Sequence, residues 1–337
     1  MDLAIIGAGP IGLFAAFQAG LLGMKVCVID TLEQVGGKCS SLYPEKPIYD
    51  IPAHPSILAG DFIKNLEKQA KNFKPVFYLD EQVVELVRKD EAAAFILKTS
   101  TGKKINTKTV LIAAGSGSFM PNKPRIEGLD KHEGKSVLYS VKNKNDFKGK
   151  KVVIFGGGDA AIDWTLELVN HADSVTLVHR RDEFRCASAS LEAVEDLKKA
   201  GKLSIHVSQQ LIGLKDEGDI LRSLIIEDKD QIKKELIADA ALFFFGVSIV
   251  PGPILEWGLD IEQRLIKVDV SKMCTNLSGI YAAGDIVSYP GKIKSIVTGF
   301  GEVVTACHAI QKYLNPDKPQ SFIHSTSRGE LFNGSSK

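Results

Sequence analysis

A chain of 337 residues exceeds one ordinary domain, and with 44% hydrophobic and 25% charged residues it can bury a sizeable core. Its 42 basic side chains are balanced by 41 acidic ones, so no overall field favours nucleic acid or a membrane surface. The longest apolar run, residues 240–255, is broken by Gly246, Ser248, Pro251, Gly252 and Pro253, which excludes a membrane span. Cys27, Cys39, Cys186, Cys274 and Cys307 are scattered with no C-x-x-C, so neither a disulfide framework nor a metal site is expected. The first motif begins within a few residues of Met1, leaving no room for a signal peptide, and a cytoplasmic protein is expected.

Leu3-Ala4-Ile5-Ile6 predicts a short buried strand, followed by Gly7, Gly9 and Gly12 at G-x-G-x-x-G spacing and a helical run from Leu13 to Leu22. That order opens a Rossmann βαβ unit. The first glycine allows the tight turn, the second lets a pyrophosphate approach the backbone, and the third lets helix and strand pack closely. Phosphates would then meet unpaired N–H groups at the helix N-terminus. A second strand, Lys25 to Ile29, ends at Asp30, the acid expected to accept from ribose hydroxyls. A glycine-rich turn without a ligand would require neither that strand nor its terminal acid. Next come the loop Glu33 to Lys38, then Cys39, the one cysteine that invites scrutiny, and a proline-punctuated stretch from Tyr43 to Pro52. Loops of this length inside a domain are usually functional. Gly60 to Phe73 predicts a helix, Glu81 to Arg88 and Ala94 to Thr99 predict strands, and Ile105 to Ala114 predicts a strand ending at Gly115. Gly115 to Pro124 has the composition of a linker.

Past the linker the pattern repeats. Lys151 to Phe155 predicts a buried strand, Gly156, Gly158 and Ala161 form a G-x-G-x-x-A turn, and Ala160 to Asn170 a helix. Val175 to Val178 is the next strand and Leu191 to Ala200 the next helix. Leu203 to Val207, Gln210 to Lys215, Ser223 to Glu227 and Glu235 to Phe245 follow as strands, the last ending at Gly246. The organisation is therefore duplicated, one dinucleotide fold per half. Gly279 to Asp285 predicts a further strand, followed by a helix from Gly301 to Leu314 whose Val303, Cys307, Ile310 and Leu314 mark an apolar face. This return completes the first domain. The expected fold class is α/β with two Rossmann-like dinucleotide-binding domains, the second inserted in the first: residues 1–115, 116–278 and 279–337.

Gly7-x-Gly9-x-x-Gly12, Ala113-Ala114-Gly115, Gly156-x-Gly158-x-x-Ala161, His179-Arg180-Arg181 with Arg185, and Tyr281-Ala282-Ala283-Gly284-Asp285 together resemble the thioredoxin-reductase-like flavoproteins over nearly the whole chain. The resemblance implies FAD in the first domain, held by Gly7, Gly9, Gly12, Asp30, Gly37, Lys38, Tyr43, Ala114 and Asp285. It implies a pyridine nucleotide in the second, at Gly156, Gly158 and Ala161. Where the first domain has Asp30, the corresponding strand ends in His179-Arg180-Arg181. An acid there would repel a 2′-phosphate, whereas guanidinium groups pair with it, so Arg180, Arg181 and Arg185 point to NADPH rather than NADH. A solvated basic run, partly neutralised by Asp182 and Glu183, is the alternative reading.

Thioredoxin reductases carry a C-x-x-C pair in the inserted domain; this chain has no cysteine between Ser136 and Gly156. Without a dithiol, electrons must leave from the flavin itself. Tyr43-Pro44-Glu45-Lys46, a turn at Gly299 to Glu302 and the tail Ile323 to Ser327 resemble the ferredoxin/flavodoxin:NADP reductases of this fold. That resemblance implies that Tyr49 stacks on one face of the isoalloxazine and His324 on the other, with Thr326 beside the same cofactor. It also implies that the helix from Gly301 directs its positive end at the flavin. On composition alone, Tyr49 is equally a core residue and His324 part of a frayed tail. The implied activity is hydride transfer from NADPH to FAD and then single-electron transfer to ferredoxin or flavodoxin, in a homodimer without nucleic-acid or membrane partners. A reductase of another acceptor, a thioredoxin-reductase relative without its own dithiol, and a nucleotide-sensing flavoprotein without turnover are the alternatives.

Overall fold

A computed structural model describes residues 1–89, 94–250 and 252–317. The chain divides into two compact units, Met1–Phe119 with the segment from Ile249 onward, and Met120–Ser248 inserted between them. In the first unit Leu3–Ile6, apolar at all four positions, is buried as the middle strand of a parallel sheet. It pairs with Val26–Ile29 on one side and Thr109–Ile112 on the other, and Val76–Tyr78 and Ile280–Ala282 form the two edges. The returning strand Ile280–Ala282 thus completes the first sheet, as its sequence pattern suggests. The helix Pro10–Leu21 packs against Ala59–Lys71 and Ile296–Leu314.

The second unit repeats four of these five strands in the same order, but its remaining edge strand comes first in the chain, where Ile280–Ala282 comes last. Lys151–Gly156 lies between Ser174–Val178 and Ala240–Phe244, with Ser204–His206 and Val137–Leu138 at the edges. Alternation along the central strand sends Val152 and Ile154 to a helical layer with Ile162, Leu168 and Val194. Val153 and Phe155 point the other way, to Leu221, Leu224 and Ile226. Those last residues belong to a three-stranded antiparallel sheet, Gln209–Glu217, Ile220–Asp228 and Lys233–Ile237. Its counterpart in the first unit is Val83–Lys89, Ala94–Thr99 and Lys104–Thr107.

Several features differ from the pattern read in the sequence, among them the unexpected edge strands Val76–Tyr78 and Val137–Leu138. The single strands expected over 105–114 and 235–245 are each two strands, Lys104–Thr107 with Thr109–Ile112, and Lys233–Ile237 with Ala240–Phe244. In each case the chain leaves an antiparallel ladder and joins the parallel sheet, so the hydrogen-bond direction must change between them; Thr107 Oγ donates to the Thr109 carbonyl across the first break at 2.9 Å. The linker read over 115–124 contains the strand Ser118–Pro121. The last helix spans Ile296–Leu314, five residues earlier than expected, and takes in the Gly299–Glu302 stretch read as a turn. Ser295 caps it, accepting from the Thr298 N–H at 3.2 Å. Finally, residues 249–278 fold with the first unit, so the return falls at Ile249 rather than 279. Ile254, Leu259, Ile266 and Met273 sit in the first unit's core, and Ile266 pairs with Val287.

Candidate functional site

A cavity of about 710 Å³ opens in the first unit where Leu3–Ile6, Val26–Ile29, Thr109–Ile112 and Ile280–Ala282 end at their carboxyl termini. This is where ligands bind in open α/β sheets. The chain turns there at Gly7, whose φ of +108° favours glycine, and a Cβ on Gly7 would overlap the Ala113 carbonyl. On Gly12 it would overlap the carbonyl of Gly7, so the third glycine is fixed by helix–strand packing. Gly9 has no heavy atom within 4 Å of such a position and faces open space. The helix Pro10–Leu21 has no side-chain cap and no acid in its first turn, leaving its N-terminal N–H groups to a ligand. The helix Ile296–Leu314 also has no acid in its first turn, and Ser295 and Ile296 line the same cavity. Two positive helix ends therefore meet one cavity.

Asp30 lines the wall beside Gly7 and Gly9. Its Oδ2 accepts from the Ala8 N–H at 2.5 Å and its Oδ1 from Leu32 at 2.9 Å, which fixes the carboxylate while leaving further acceptor capacity. Burial pushes its pKa up, and the N–H groups of Ala8, Leu32 and Thr31 pull it back. Asp285, after Gly284, lines the cavity with no side-chain hydrogen bond among the described residues. Gly37, at φ +56°, packs against Gly9, and the adjacent Lys38 donates to Ser116 Oγ. Tyr43 and Ala114 are also in the wall; the Tyr43 hydroxyl lies 3.6 Å from Cys39 Sγ. Tyr49 is 70% exposed at the rim, so it is not a core residue. The cavity thus brings together Gly7, Gly9, Asp30, Gly37, Lys38, Tyr43, Tyr49, Ala114 and Asp285. Sequence reasoning missed Ser116, the Glu81-Gln82-Val83 wall and Ser295. Ser295, three residues before Thr298 at the start of an apolar periodicity, carried a legible capping signal.

In the second unit Gly156, Gly158 and Ala161 form the corresponding turn into the helix Asp159–Leu168. A Cβ on Gly156 would come within 2.7 Å of that of Ala161. Asp159 Oδ1 accepts from the Ala187 N–H at 3.1 Å, and the Arg185 N–H donates to Gly157 at 2.6 Å, folding 180–187 back onto the turn. His179 packs on Gly157 and stacks on Phe184 with ring centroids 5.2 Å apart. Burial lowers its pKa, and the charges of Arg181, Arg180 and Arg185 lower it further. The side chains of Arg180, Arg181 and Arg185 are exposed and have no hydrogen bond or ion pair among the described residues. His324 and Thr326 lie outside the described residues. Among the described residues no helix is long and apolar enough to cross a membrane.

Two dinucleotide folds built on the same strand–glycine turn–helix unit, the first opening onto a cavity with paired helix N-termini, are the architecture of a nucleotide-dependent flavoprotein oxidoreductase. Residues 1–308 match the family model of pyridine nucleotide-disulphide oxidoreductases, and the chain belongs to that family. It is 47% identical over 331 residues to the ferredoxin–NADP reductase of Anaplasma phagocytophilum (strain HZ), covering 97% of each chain. It is 46% identical to that of Rickettsia bellii (strain OSU 85-389), covering 97% of this chain and 98% of the relative. The fold is also that of the thioredoxin reductase from T. acidophilum, with a TM-score of 0.71 at 22% identity over 92% of this chain and 97% of the other. The chain is therefore an oxidoreductase, and its cofactors are FAD and NADPH.

Proposed function

We propose that this enzyme oxidises NADPH through FAD and passes electrons singly to ferredoxin or flavodoxin, reversibly, with FAD in the first unit and NADPH in the second. When bound, FAD would supply the redox chemistry, which takes up two electrons as hydride and gives them up singly. The chain's own part is binding and positioning. Gly9 leaves room for a pyrophosphate at the N–H groups of Pro10–Leu21, where no acid opposes its charge. Asp30 accepts from ribose hydroxyls, Asp285 from hydroxyls further along the cofactor, and Gly37, Lys38, Tyr43 and Ala114 close the wall around it. Tyr49 stands at the rim, free to cover one face of a flat ring. His324, with Thr326 beside it, would cover the other face from the tail. Arg180, Arg181 and Arg185 take the 2′-phosphate beside the Gly156, Gly158 and Ala161 turn.

The observation that carries the reading is the cavity with its two acid-free helix N-termini and its fixed carboxylate at Asp30. The acceptor class is supported by the names of the relatives and by the lack of a C-x-x-C anywhere in the sequence. A cytoplasmic homodimer completes the proposal. Mixing the purified protein with NADPH and with ferredoxin or flavodoxin tests it, and rapid reduction of either carrier is expected. Bleaching of the bound FAD by NADPH without onward reduction of either carrier would reject the acceptor; FAD that NADPH does not bleach would point to a nucleotide sensor.

A further inference from the structure

Glu302 stands on the second turn of the helix Ile296–Leu314, on its buried face, and its side chain is only 5% exposed. It is one of the few buried charged residues among those described. Oε2 accepts from the backbone N–H of Gly284 at 2.7 Å. Oε1 accepts from the Tyr289 hydroxyl at 2.6 Å and is paired with the ammonium of Lys292, itself 7% exposed. The Lys292 ammonium also lies 5.6 Å from the centroid of the Tyr289 ring. Burial first, and then the Glu302 carboxylate, push the Tyr289 hydroxyl up to about 12, so it remains a donor at neutral pH. All three partners belong to the strap that runs from Gly284 to Ser295, and that strap presents Asp285, Lys294 and Ser295 to the cavity. Gly284 has a φ of +86° and lies against Ile11, so the turn that aims Asp285 has little freedom once its N–H is held.

Burying a carboxylate and an ammonium together is costly unless both are paired and hydrogen-bonded, and hydrophobic residues of similar volume often serve stability as well. Stability alone therefore gives no reason for this pair. We propose that Glu302 is a positioning residue for the bound cofactor: its hydrogen bond to Gly284 sets the Asp285 turn, and its charge neutralises Lys292, two residues before the cavity-lining Lys294 on the same strap. This rests on the reading that the cavity holds FAD. The two roles are separable. Affinity for FAD follows the Gly284 hydrogen bond, and the midpoint potential of bound FAD follows the local charge.

The test uses the full-length holoenzyme, with FAD release on dilution followed by fluorescence and the midpoint potential measured by equilibrium titration. Glu302→Gln keeps an acceptor for Gly284 but leaves Lys292 uncompensated; it should retain FAD within about threefold and raise the potential, because reduction adds electron density beside an unbalanced cation. Replacing the pair by Glu302→Met with Lys292→Met removes both charges and the acceptor. It should return the potential to that of the unaltered enzyme while weakening FAD by about tenfold or more, the expected effect of losing a hydrogen bond to a charged group. The double variant also keeps the test decisive if Glu302→Gln does not fold. Affinity and potential that both stay unchanged, or that move together in both variants, would overturn the proposal. Asp30→Ala serves as the separate control: if it leaves FAD affinity intact, the cavity assignment itself is wrong, whereas weakened binding there with no effect at Glu302 rejects this inference alone.

Discussion

Three exposed guanidinium groups with no hydrogen-bond or ion-pair partner among the described residues, at Arg180, Arg181 and Arg185, give the second unit a local positive charge that the whole chain lacks. A charge-assisted hydrogen bond contributes about 1.5–3 kcal/mol. Arg180→Ala and Arg181→Ala should therefore each raise the Michaelis constant for NADPH by roughly 10- to 150-fold and leave that for NADH nearly unchanged. Equal effects on the two nucleotides in steady-state kinetics would return these side chains to a solvated basic run. Cys39 presents the opposite case, a residue in the cavity wall with no expected part in electron transfer. Burial pushes its thiol pKa up, while the Tyr43 hydroxyl and Lys38 pull it back only in part, so at neutral pH it is a thiol rather than a nucleophilic thiolate. Cys39→Ser should leave NADPH-driven turnover near that of the unaltered enzyme and iodoacetamide should modify Cys39 slowly. Loss of turnover with an intact FAD spectrum would reinstate a cysteine mechanism.

At the scale of elements, the helix Ile296–Leu314 shows what sequence patterns disclose and what they hide. Glycines 299 and 301 read as a break, because their entropy cost in a helix is visible in sequence and the packing that requires Gly299 is not. A Cβ at position 299 would overlap Ile11 Cδ1 and lie 3.5 Å from Gly284 Cα. Gly299→Ala should consequently cost about 1–3 kcal/mol through overpacking, and Ser295→Ala about 1 kcal/mol through loss of the cap, both read from urea unfolding. Glu302 was legible in principle, since it falls on the stripe of Val303, Ala306 and Ile310, where a carboxylate must find partners. Its partners were not, because Lys292 and Tyr289 lie on a loop without periodicity. Glu81 is a similar case at the start of the antiparallel sheet: Lys103, Thr101 and Thr99 hold its pKa down at about 2. A depressed carboxylate contributes stability in full above its unfolded value, near 4.3, and loses it as pH falls toward about 2. Lys103→Met should shift acid unfolding, followed by circular dichroism, to higher pH; an unchanged acid midpoint would show that this ion pair carries no such linkage.

At the scale of the whole molecule, the duplication was readable because it is written in short-range signals, a buried strand, a glycine turn and a helix, that recur at Leu3 and Lys151. The return to the first unit was not. The described residues of 252–278 form a 3₁₀ turn and short strands such as Ile261–Glu262 and Leu265–Lys267, too brief for a period to declare which core they join. The two hydrophobic cores of the inserted unit draw on residues 126–244 alone, whereas Ile254, Leu259, Ile266 and Met273 are buried in the first. This distribution makes the domain boundary testable with fragments. A fragment of residues 120–248 should fold with a cooperative thermal transition and bind 2′,5′-ADP, because it takes its whole core with it. A fragment of residues 116–278 carries the same fold plus four apolar side chains stripped of their partners, and should bind a hydrophobic dye and aggregate at lower temperature. If the longer fragment proves the more stable and the more soluble of the two, residues 249–278 belong with the inserted unit after all, and the core that they complete in the first unit must tolerate their loss.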